Sequence, residues 1–192
     1  TNWSVEVGTN STAVKDSLNA LISCVKDTTD EEFKEQIGNY LDLQSAIDYY
    51  IHCYADCGLD SLAKNMLIGT YDLKKWYMGR YDMDAVWGLW WDGSKFVTAT
   101  YRCPEDYQEQ FSLLWERIEA LYYEEIKARY AVLRSGALSL PNIVSRFERF
   151  MDVIGLDLYA EDLTIYTGIP SGSTINIKQI RDFVRDRLVY VD

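Results

Sequence analysis

Three carboxylates and one amide stand close together in the sequence, and their oxygens could bind a metal ion. Asp60 precedes Asn65 by five residues, and Asp82 and Asp84 stand two residues apart in the stretch GRYDMDAVWGLWWDG, which is otherwise mostly aromatic, apolar or glycine. Clustered carboxylates repel one another and lose hydration unless a cation is present. Carboxylate and amide oxygens suit Mg²⁺ or Mn²⁺. These residues therefore predict a metal site wherever the fold brings them together.

Two short runs rich in apolar and aromatic residues separate the amide from the second group of acids. The runs cover about residues 66–71 and 75–81, and they predict a two-stranded β-hairpin. Because a hairpin returns the chain to its starting point, Asn65 and Asp82 should be neighbours in space, with Asp60 brought close by the loop before the first strand. The sequence therefore predicts that these three side chains converge on one cleft.

Each of these residues also has an ordinary interpretation. An acidic side chain near the end of a strand or helix commonly caps a turn, and Asp60 could cap the turn that follows Gly58. Lys64, which directly precedes Asn65, could contact a phosphate or extend into solvent as a surface lysine. The order of the residues, with a hairpin between them, is what favours a shared site.

The first part of the chain is expected to form three helices. Residues 11–27 carry apolar side chains three and four positions apart, which predicts one apolar face. Thr29 followed by Glu32 is a capping box at the start of a second helix. A third helix is expected through residues 43–57, where Gly58 is placed to end it in a left-handed conformation.

The second part of the chain is also expected to be helical. A long helix is predicted over about residues 106–134, with Gly136 ending it. Ser139 is a candidate N-cap of the next helix, in which a proline occupies the first turn. A final helix is predicted over about residues 176–188. The predicted fold class is therefore mainly α with a small β-hairpin or sheet.

The composition limits what the chain can bind. With 192 residues, of which 48% are hydrophobic, residues 1–192 are expected to form a single domain with one core. A formal net charge of −11 offers no basic surface for a phosphate backbone, so nucleic acid is not an expected partner. No window reaches the roughly 20 apolar residues of a membrane-spanning helix.

The cysteines have two interpretations. Cys53 and Cys57 lie four residues apart beside His52, the only histidine, which makes a zinc site conceivable. A structural zinc site needs four ligands in paired spacings, and Cys24 and Cys103 do not supply the second pair. The sequence therefore favours small apolar thiols buried in the core.

Aromatic and basic residues form two further groups. The aromatic group is either an exposed platform for sugar rings or buried packing behind the acidic loop, and burial is favoured; its members are Trp76, Trp87, Trp90, Trp91 and Tyr101. The basic residues of the final helix are expected to form a solvated face; they are Lys178, Arg181, Arg185 and Arg187.

The polar residues also follow the order of the phosphoryl-transfer site of protein kinases. In that site an Asp is followed five residues later by an Asn, and then come a hairpin and a metal-binding Asp. The stretch YLDLQSAIDYYIHCYADCGLDSLAKNMLIGTYDLKKWYMGRYDMDAVWG, residues 40–88, resembles the CotH kinase family of spore-coat-like atypical kinases. The closing IKQIRDFVRDRLVYVD is similar to the family's final helix. Two features depart from ordinary protein kinases: no His-Arg pair precedes Asp60, and Met-Asp follows Asp82 in place of Phe-Gly.

The resemblance implies a role for each polar residue. Asp60 would be the catalytic acid that orients or deprotonates an acceptor hydroxyl, and Asn65 would be a metal ligand. Asp82 would be the principal metal ligand, and Asp84 would bind a second metal or support the first. Lys64 would contact a phosphate of the nucleotide. The implied cofactors are Mg²⁺ or Mn²⁺, with ATP in the full-length protein.

The resemblance also implies a fold and two functions. The chain resembles the C-terminal lobe of a kinase-like fold, and nothing before residue 40 looks like a nucleotide-binding N-terminal lobe. Joined to such a lobe, it would transfer phosphate from Mg-ATP to a protein hydroxyl, and alone it would be inactive. The alternative is an inert phage tail, baseplate or cell-surface module, with a virion or surface partner. Either function suggests that the protein is located in a virion or on the bacterial cell surface.

Overall fold

The computed structural model describes residues 3–103, 112–165 and 177–192. The described residues are mainly helical with one small antiparallel sheet, which confirms the predicted fold class. In chain order the elements are α1 (Thr12–Asp27), α2 (Asp30–Tyr40), α3 (Leu43–Asp56), β1 (Met66–Thr70), β2 (Trp76–Arg80), α4 (Leu113–Leu121), α5 (Tyr123–Ser135), α6 (Leu140–Ile154), α7 (Leu156–Ile165) and α8 (Lys178–Val191).

Side-chain caps set the starts of the first three helices. The predicted capping box of α2 is present: the Glu32 amide donates to the Thr29 hydroxyl, and the Glu32 carboxylate accepts from the Thr29 amide. At α3, the carboxylate of Asp42 accepts a hydrogen bond of 2.8 Å from the Ser45 amide. Such caps satisfy amides that have no partner within the helix, so α2 and α3 begin where their local sequence dictates.

The end of α3 differs from the prediction by one residue. The left-handed residue is Cys57, with φ of 58°, and not Gly58. Gly58 is required for another reason, because a Cβ atom there would lie 2.6 Å from the Ser61 hydroxyl and 3.0 Å from Nη2 of Arg80. The glycine therefore permits close packing around the loop that carries Asp60.

The predicted helix over residues 106–134 is wrong as a single element. Within the described residues it is two helices, α4 and α5, separated at Tyr122, where φ is −125° and ψ is 26°. The break redirects the chain: α4 packs against α1 and α2, whereas α5 packs against α3. The predicted start, residues 106–111, lies outside the described residues, as does residue 176 at the start of the predicted final helix.

The hairpin pairs β1 with β2 from Met66 opposite Arg80 to Thr70 opposite Trp76. It is anchored to the helices through the Asp42 amide, which donates to the Trp76 carbonyl at 2.8 Å. The Met78 amide also donates to the hydroxyl of Ser45 at the start of α3. The hairpin is therefore held against α3, which leads directly into the Asp60 loop.

The core is built around α3, which contacts β2, α5 and α8. The main cluster includes residues with no exposed surface, among them Phe33, Ile37, Leu41, Cys53, Leu62, Trp115, Ile118 and Val184. A second, smaller cluster lies under the segment that follows the hairpin, and its buried members are Cys57, Leu59, Cys103 and Phe183. The four cysteines are free and buried, which confirms the prediction of core thiols.

The prediction of a solvated basic face on α8 is wrong for Arg187. This side chain is completely buried, and its guanidinium donates to the carbonyls of Tyr54 (2.7 Å), Ala99 (3.0 Å) and Tyr101 (2.6 Å). Its position three and four residues from Val184 and Phe183 places it on the same helical face as those buried side chains. The other basic residues of the group, Lys178, Arg181 and Arg185, are exposed.

Among the described residues, none of the helices has the length and apolar character needed to span a membrane.

Candidate functional site

A compact turn between α3 and β1 positions Asp60. The carbonyl of Asp60 accepts hydrogen bonds from the amides of Ala63 (3.1 Å), Lys64 (2.9 Å) and Asn65 (3.2 Å). The turn is also hydrogen-bonded to α3, because the hydroxyl of Tyr49 in that helix donates to the carbonyls of Ser61 and Asn65. Asp60 and Asn65 are therefore held at opposite ends of one rigid turn.

Asn65 joins the two acids across the open end of the hairpin. Its Nδ2 donates to Oδ2 of Asp60 at 3.1 Å and to Oδ2 of Asp82 at 2.7 Å. Asp82 lies two residues after β2 and has φ of 56°, a left-handed conformation uncommon for a residue with a side chain. Such conformations persist where the surrounding structure holds them, often at functional sites. The expected convergence of these three side chains is observed.

The cluster opens into a cavity of about 60 Å³. A cavity needs only about 10–15 Å³ of such volume to hold one water molecule, so the space suits an ion with several waters and not a whole nucleotide. All five candidate residues from the sequence lie in its wall, and the lining comprises Gly58, Leu59, Asp60, Ser61, Lys64, Asn65, Asp82, Asp84, Ala85, Val86 and Trp91.

The carboxylates of the cavity differ in environment. Asp60 is half-buried, whereas Asp82 and Asp84 are exposed. Burial and then the nearby charge of Asp82 raise the pKa of Asp60, while Lys64 and the hydrogen bond from Asn65 oppose the shift. Asp60 therefore holds a proton more readily than an ordinary surface aspartate, which is a property suited to proton transfer.

The donor set fits a magnesium or manganese ion only if the amide contributes. Within the described residues no three His, Cys, Asp or Glu side chains are grouped closely enough to hold a metal. Asp60 and Asp82 supply two carboxylates, and a half-turn of the Asn65 amide would present Oδ1 where Nδ2 now lies. Two carboxylates, one amide oxygen and water are ligands of the type Mg²⁺ takes. The residues present thus fit such an ion.

Asp84 and Lys64 flank this centre. Asp84 lies in the cavity wall two residues beyond Asp82, and Lys64 is an exposed side chain on the Asp60 turn. Neither is hydrogen-bonded to the Asp60–Asn65–Asp82 cluster in the way that those three are linked to one another. They therefore border the site and do not form its centre.

Sequence reasoning missed a buried ion pair directly behind the site. Asp56 is completely buried at the end of α3, and its Oδ2 lies 2.7 Å from Nη2 of Arg80, the last residue of β2. Burial raises the pKa of Asp56 to about 6, against the lowering effect of Arg80. The available signal was an aspartate among apolar residues in CYADCG, together with an arginine two residues before Asp82.

The aromatic residues divide between packing and exposure. Trp76 is buried, and Trp87 and Trp90 pack against the second cluster, as predicted. Trp90 stacks edge-on against Tyr101. Trp91 is 54% exposed and lines the cavity, so the prediction of burial is wrong for this residue.

The fold and the cleft define a class of structure: a mainly helical domain that presents a carboxylate–amide cluster at the open end of a β-hairpin. A family model described as CotH kinase protein matches residues 2–191. The chain therefore belongs to the CotH kinase family. No curated protein and no solved structure matched it. Membership of this family indicates a kinase-like function.

Proposed function

We propose that the chain is the C-terminal lobe of an atypical kinase that transfers phosphate from ATP to a protein hydroxyl. The observation that carries this proposal is the Asn65 amide, which bridges the Asp60 and Asp82 carboxylates inside one small cavity. The two carboxylates that share this amide repel each other, and a cation would relieve that repulsion; the order of the three residues along the chain is that of kinase sites. Family membership supports the same conclusion.

Asp60 is proposed to be the catalytic residue. Its carboxylate would accept a hydrogen bond from the acceptor hydroxyl, orient that oxygen towards the phosphate and take up its proton. The half-buried position and raised pKa of Asp60 support this role. The turn that fixes Asp60 relative to Asn65 would hold the hydroxyl in line for attack.

Asn65, Asp82 and Asp84 are proposed to hold Mg²⁺ or Mn²⁺, with the Asp60 carboxylate, which the Asn65 amide links to Asp82, beside the ion. When bound, the ion would neutralise phosphate charge and orient the transferred group. Asp82 would be the principal ligand, Asn65 would contribute its amide oxygen, and Asp84 would bind a second ion or the water of the first. Lys64 would contact a phosphate oxygen from the cavity wall.

The nucleotide is proposed to need a second lobe. The cavity of about 60 Å³ is far smaller than sites for organic ligands, which enclose about 300–1,000 Å³. The 192-residue chain should therefore show no phosphate transfer from labelled ATP to a generic protein acceptor. Turnover by this chain that is lost in Asp60→Ala would contradict the need for a second lobe while supporting the role of Asp60.

Metal binding by the isolated chain tests the site itself. We expect Mn²⁺ or Mg²⁺ to raise Tm and Asp82→Asn to remove most of the increase, because the ion binds the folded state only. Metal at ~100 times Kd stabilises a protein by roughly 2.7 kcal/mol, or about 5–10 °C at this chain length. Without metal, Asp82→Asn should melt no lower than wild type, since removing one clustered charge relieves repulsion.

The matched control is Asp162→Asn, which removes an exposed aspartate of α7 and should leave the metal response unchanged. An equal metal response in Asp82→Asn and wild type would remove Asp82 from the site. If wild type showed no response even with ATP added to supply phosphate ligands, the alternative of an inert virion or surface module would be favoured.

A further inference from the structure

A buried ion pair lies between the two halves of the candidate site. Asp56 has no exposed surface, and only 16% of the Arg80 side chain is exposed. Besides the contact of 2.7 Å with Asp56, the guanidinium of Arg80 donates to Sγ of Cys53 and lies over the ring of Tyr49, 5.4 Å from its centroid. Arg80 is thus fixed against α3 on several sides.

The pair touches every segment that carries a site residue. Asp56 lies four residues before Asp60, and Arg80 lies two residues before Asp82. Gly58, at the start of the Asp60 turn, packs so closely on both side chains that a Cβ there would meet Nη2 of Arg80 at 3.0 Å and Oδ1 of Asp56 at 3.2 Å. The carbonyl of Asp56 also accepts a hydrogen bond of 2.7 Å from the Trp87 amide, just beyond Asp84.

We propose that Arg80 and Asp56 are positioning residues that set the separation between the Asp60–Asn65 turn and Asp82, and with it the affinity of the site for a divalent cation. The inference rests on the proposed function for the identity of the ligand. The Asn65 amide reaches Asp60 and Asp82 at the same time only while the turn and the end of β2 keep their spacing. Beside the β1–β2 pairing of Met66 with Arg80, the ion pair is a buried side-chain link between these two segments.

An ion pair fixes direction as well as distance, which an apolar contact does not. Replacing a buried ion pair by apolar residues of similar size often preserves stability, whereas removing one partner is strongly destabilising. The double variant Asp56→Leu/Arg80→Met therefore separates positioning from stability. It should fold, because it leaves no unpaired buried charge, yet it loses the hydrogen bond that joins the end of α3, just before the turn, to the end of β2.

The test measures Mn²⁺ affinity by the loss of the free-ion electron paramagnetic resonance signal, together with amide hydrogen exchange, for wild type, Arg80→Lys, Arg80→Met and the double variant. The matched control is Arg129→Met. Arg129 of α5 forms a bidentate pair with Asp48 of α3, the helix that also carries Asp56, at 2.6 and 2.9 Å. This pair is about one-third exposed and distant in sequence from the cavity-lining residues.

We expect the double variant to melt near wild type but to bind Mn²⁺ about 10- to 100-fold more weakly, the usual effect of losing the support of a metal ligand. Exchange should become faster over residues 58–65 and 82–87 and stay unchanged in α1 and α2. Arg80→Lys keeps the charge but loses the planar fork, so its Mn²⁺ affinity should be intermediate. Arg129→Met should retain wild-type affinity.

A double variant that melts like wild type and also binds Mn²⁺ and exchanges like wild type would overturn the proposal. The proposal would also be overturned if Arg129→Met lost as much Mn²⁺ affinity as the double variant. Failure of the proposed function would look different, because wild type would then bind no Mn²⁺. In that case, amide hydrogen exchange of residues 58–65 and 82–87 in the double variant, compared with wild type, would decide whether the ion pair positions the two segments.

Discussion

Asn65 donates to two carboxylates that lie in different surroundings, and this asymmetry is the main chemical feature of the cleft. Asp60 is half-buried on the turn, and Asp82 is exposed beyond the hairpin. The environment of Asp60 favours its protonated form, chiefly because burial removes water from the carboxylate. The proposed roles, proton acceptor for Asp60 and cation ligand for Asp82, need this difference.

The raised pKa of Asp60 predicts a pH-dependent effect of Asp60→Asn on stability. Since the folded chain binds this proton more tightly than the unfolded chain, ionised Asp60 lowers the free energy of unfolding once the pH exceeds its folded pKa. Asp60→Asn should therefore have the higher Tm at pH 7.5. The difference should shrink as the pH falls through the folded pKa and vanish below the unfolded pKa, where Asp60 is neutral in both states.

Melting curves of the two proteins from pH 4 to pH 8, without divalent cations, provide the measurement. Glu161→Gln, at an exposed position of α7, serves as a control and should give no such trend. A lower Tm for Asp60→Asn at pH 7.5 would contradict the prediction, since it would mean that hydrogen bonds to the ionised carboxylate outweigh its loss of hydration.

At the scale of elements, the segment after the hairpin is held in place by α8. Gly88 has φ of 90°, and a Cβ there would lie 2.4 Å from Cδ2 of Phe183. Beside it, the side-chain amide of Gln179 donates to the Trp87 carbonyl at 3.1 Å. The final helix therefore supports the backbone that leads out of the Asp82–Asp84 loop.

Gly88→Ala should lower the free energy of unfolding by about 1–3 kcal/mol, because the methyl group would overlap the Phe183 ring and the backbone would be strained at positive φ. Thermal unfolding should show a Tm lower by about 2–4 °C for each kcal/mol. In the control Gly38→Ala, within α2, the new Cβ meets no atom within 4 Å.

Gly38→Ala should raise the free energy of unfolding by up to about 1 kcal/mol, because alanine has a higher helix propensity than glycine. If both variants shifted Tm in the same direction and by a similar amount, close packing at Gly88 would not be the cause of its effect.

For the whole molecule, the first and last parts of the described chain are joined through buried arginines. Arg187 of α8 reaches carbonyls of α3 and of residues 99–101. Arg117 of α4 is also buried, and it donates to the carbonyl of Val25 at 2.8 Å where α1 approaches its end. Both side chains satisfy backbone carbonyls that have no helical partner. Distant segments are thereby fixed in one arrangement.

Arg187→Met should lower the free energy of unfolding by about 3 kcal/mol or more, because three partly buried carbonyls would lose a charged donor. Arg185→Met, on the exposed face of the same helix, is the matched control and should stay within about 0.5 kcal/mol of wild type. Denaturant unfolding compares the two, and similar effects would show that burial of Arg187 contributes little.

Local features were predictable from the sequence because they depend on residues a few positions apart. The capping box of α2 and the two strands of the hairpin are of this kind. The convergence of Asp60, Asn65 and Asp82 followed from the same local logic, since closing a hairpin brings its two ends together.

Contacts between distant segments were decided by the tertiary structure alone. The break at Tyr122 redirects the chain from α1 and α2 to α3, and the apolar pattern of the sequence continues through it without a signal. The burial of Arg187 and the Asp56–Arg80 pair needed the carbonyls and charges of other elements to be in place. A buried charge is stable only beside its partner, and the partner's location is a property of the whole fold.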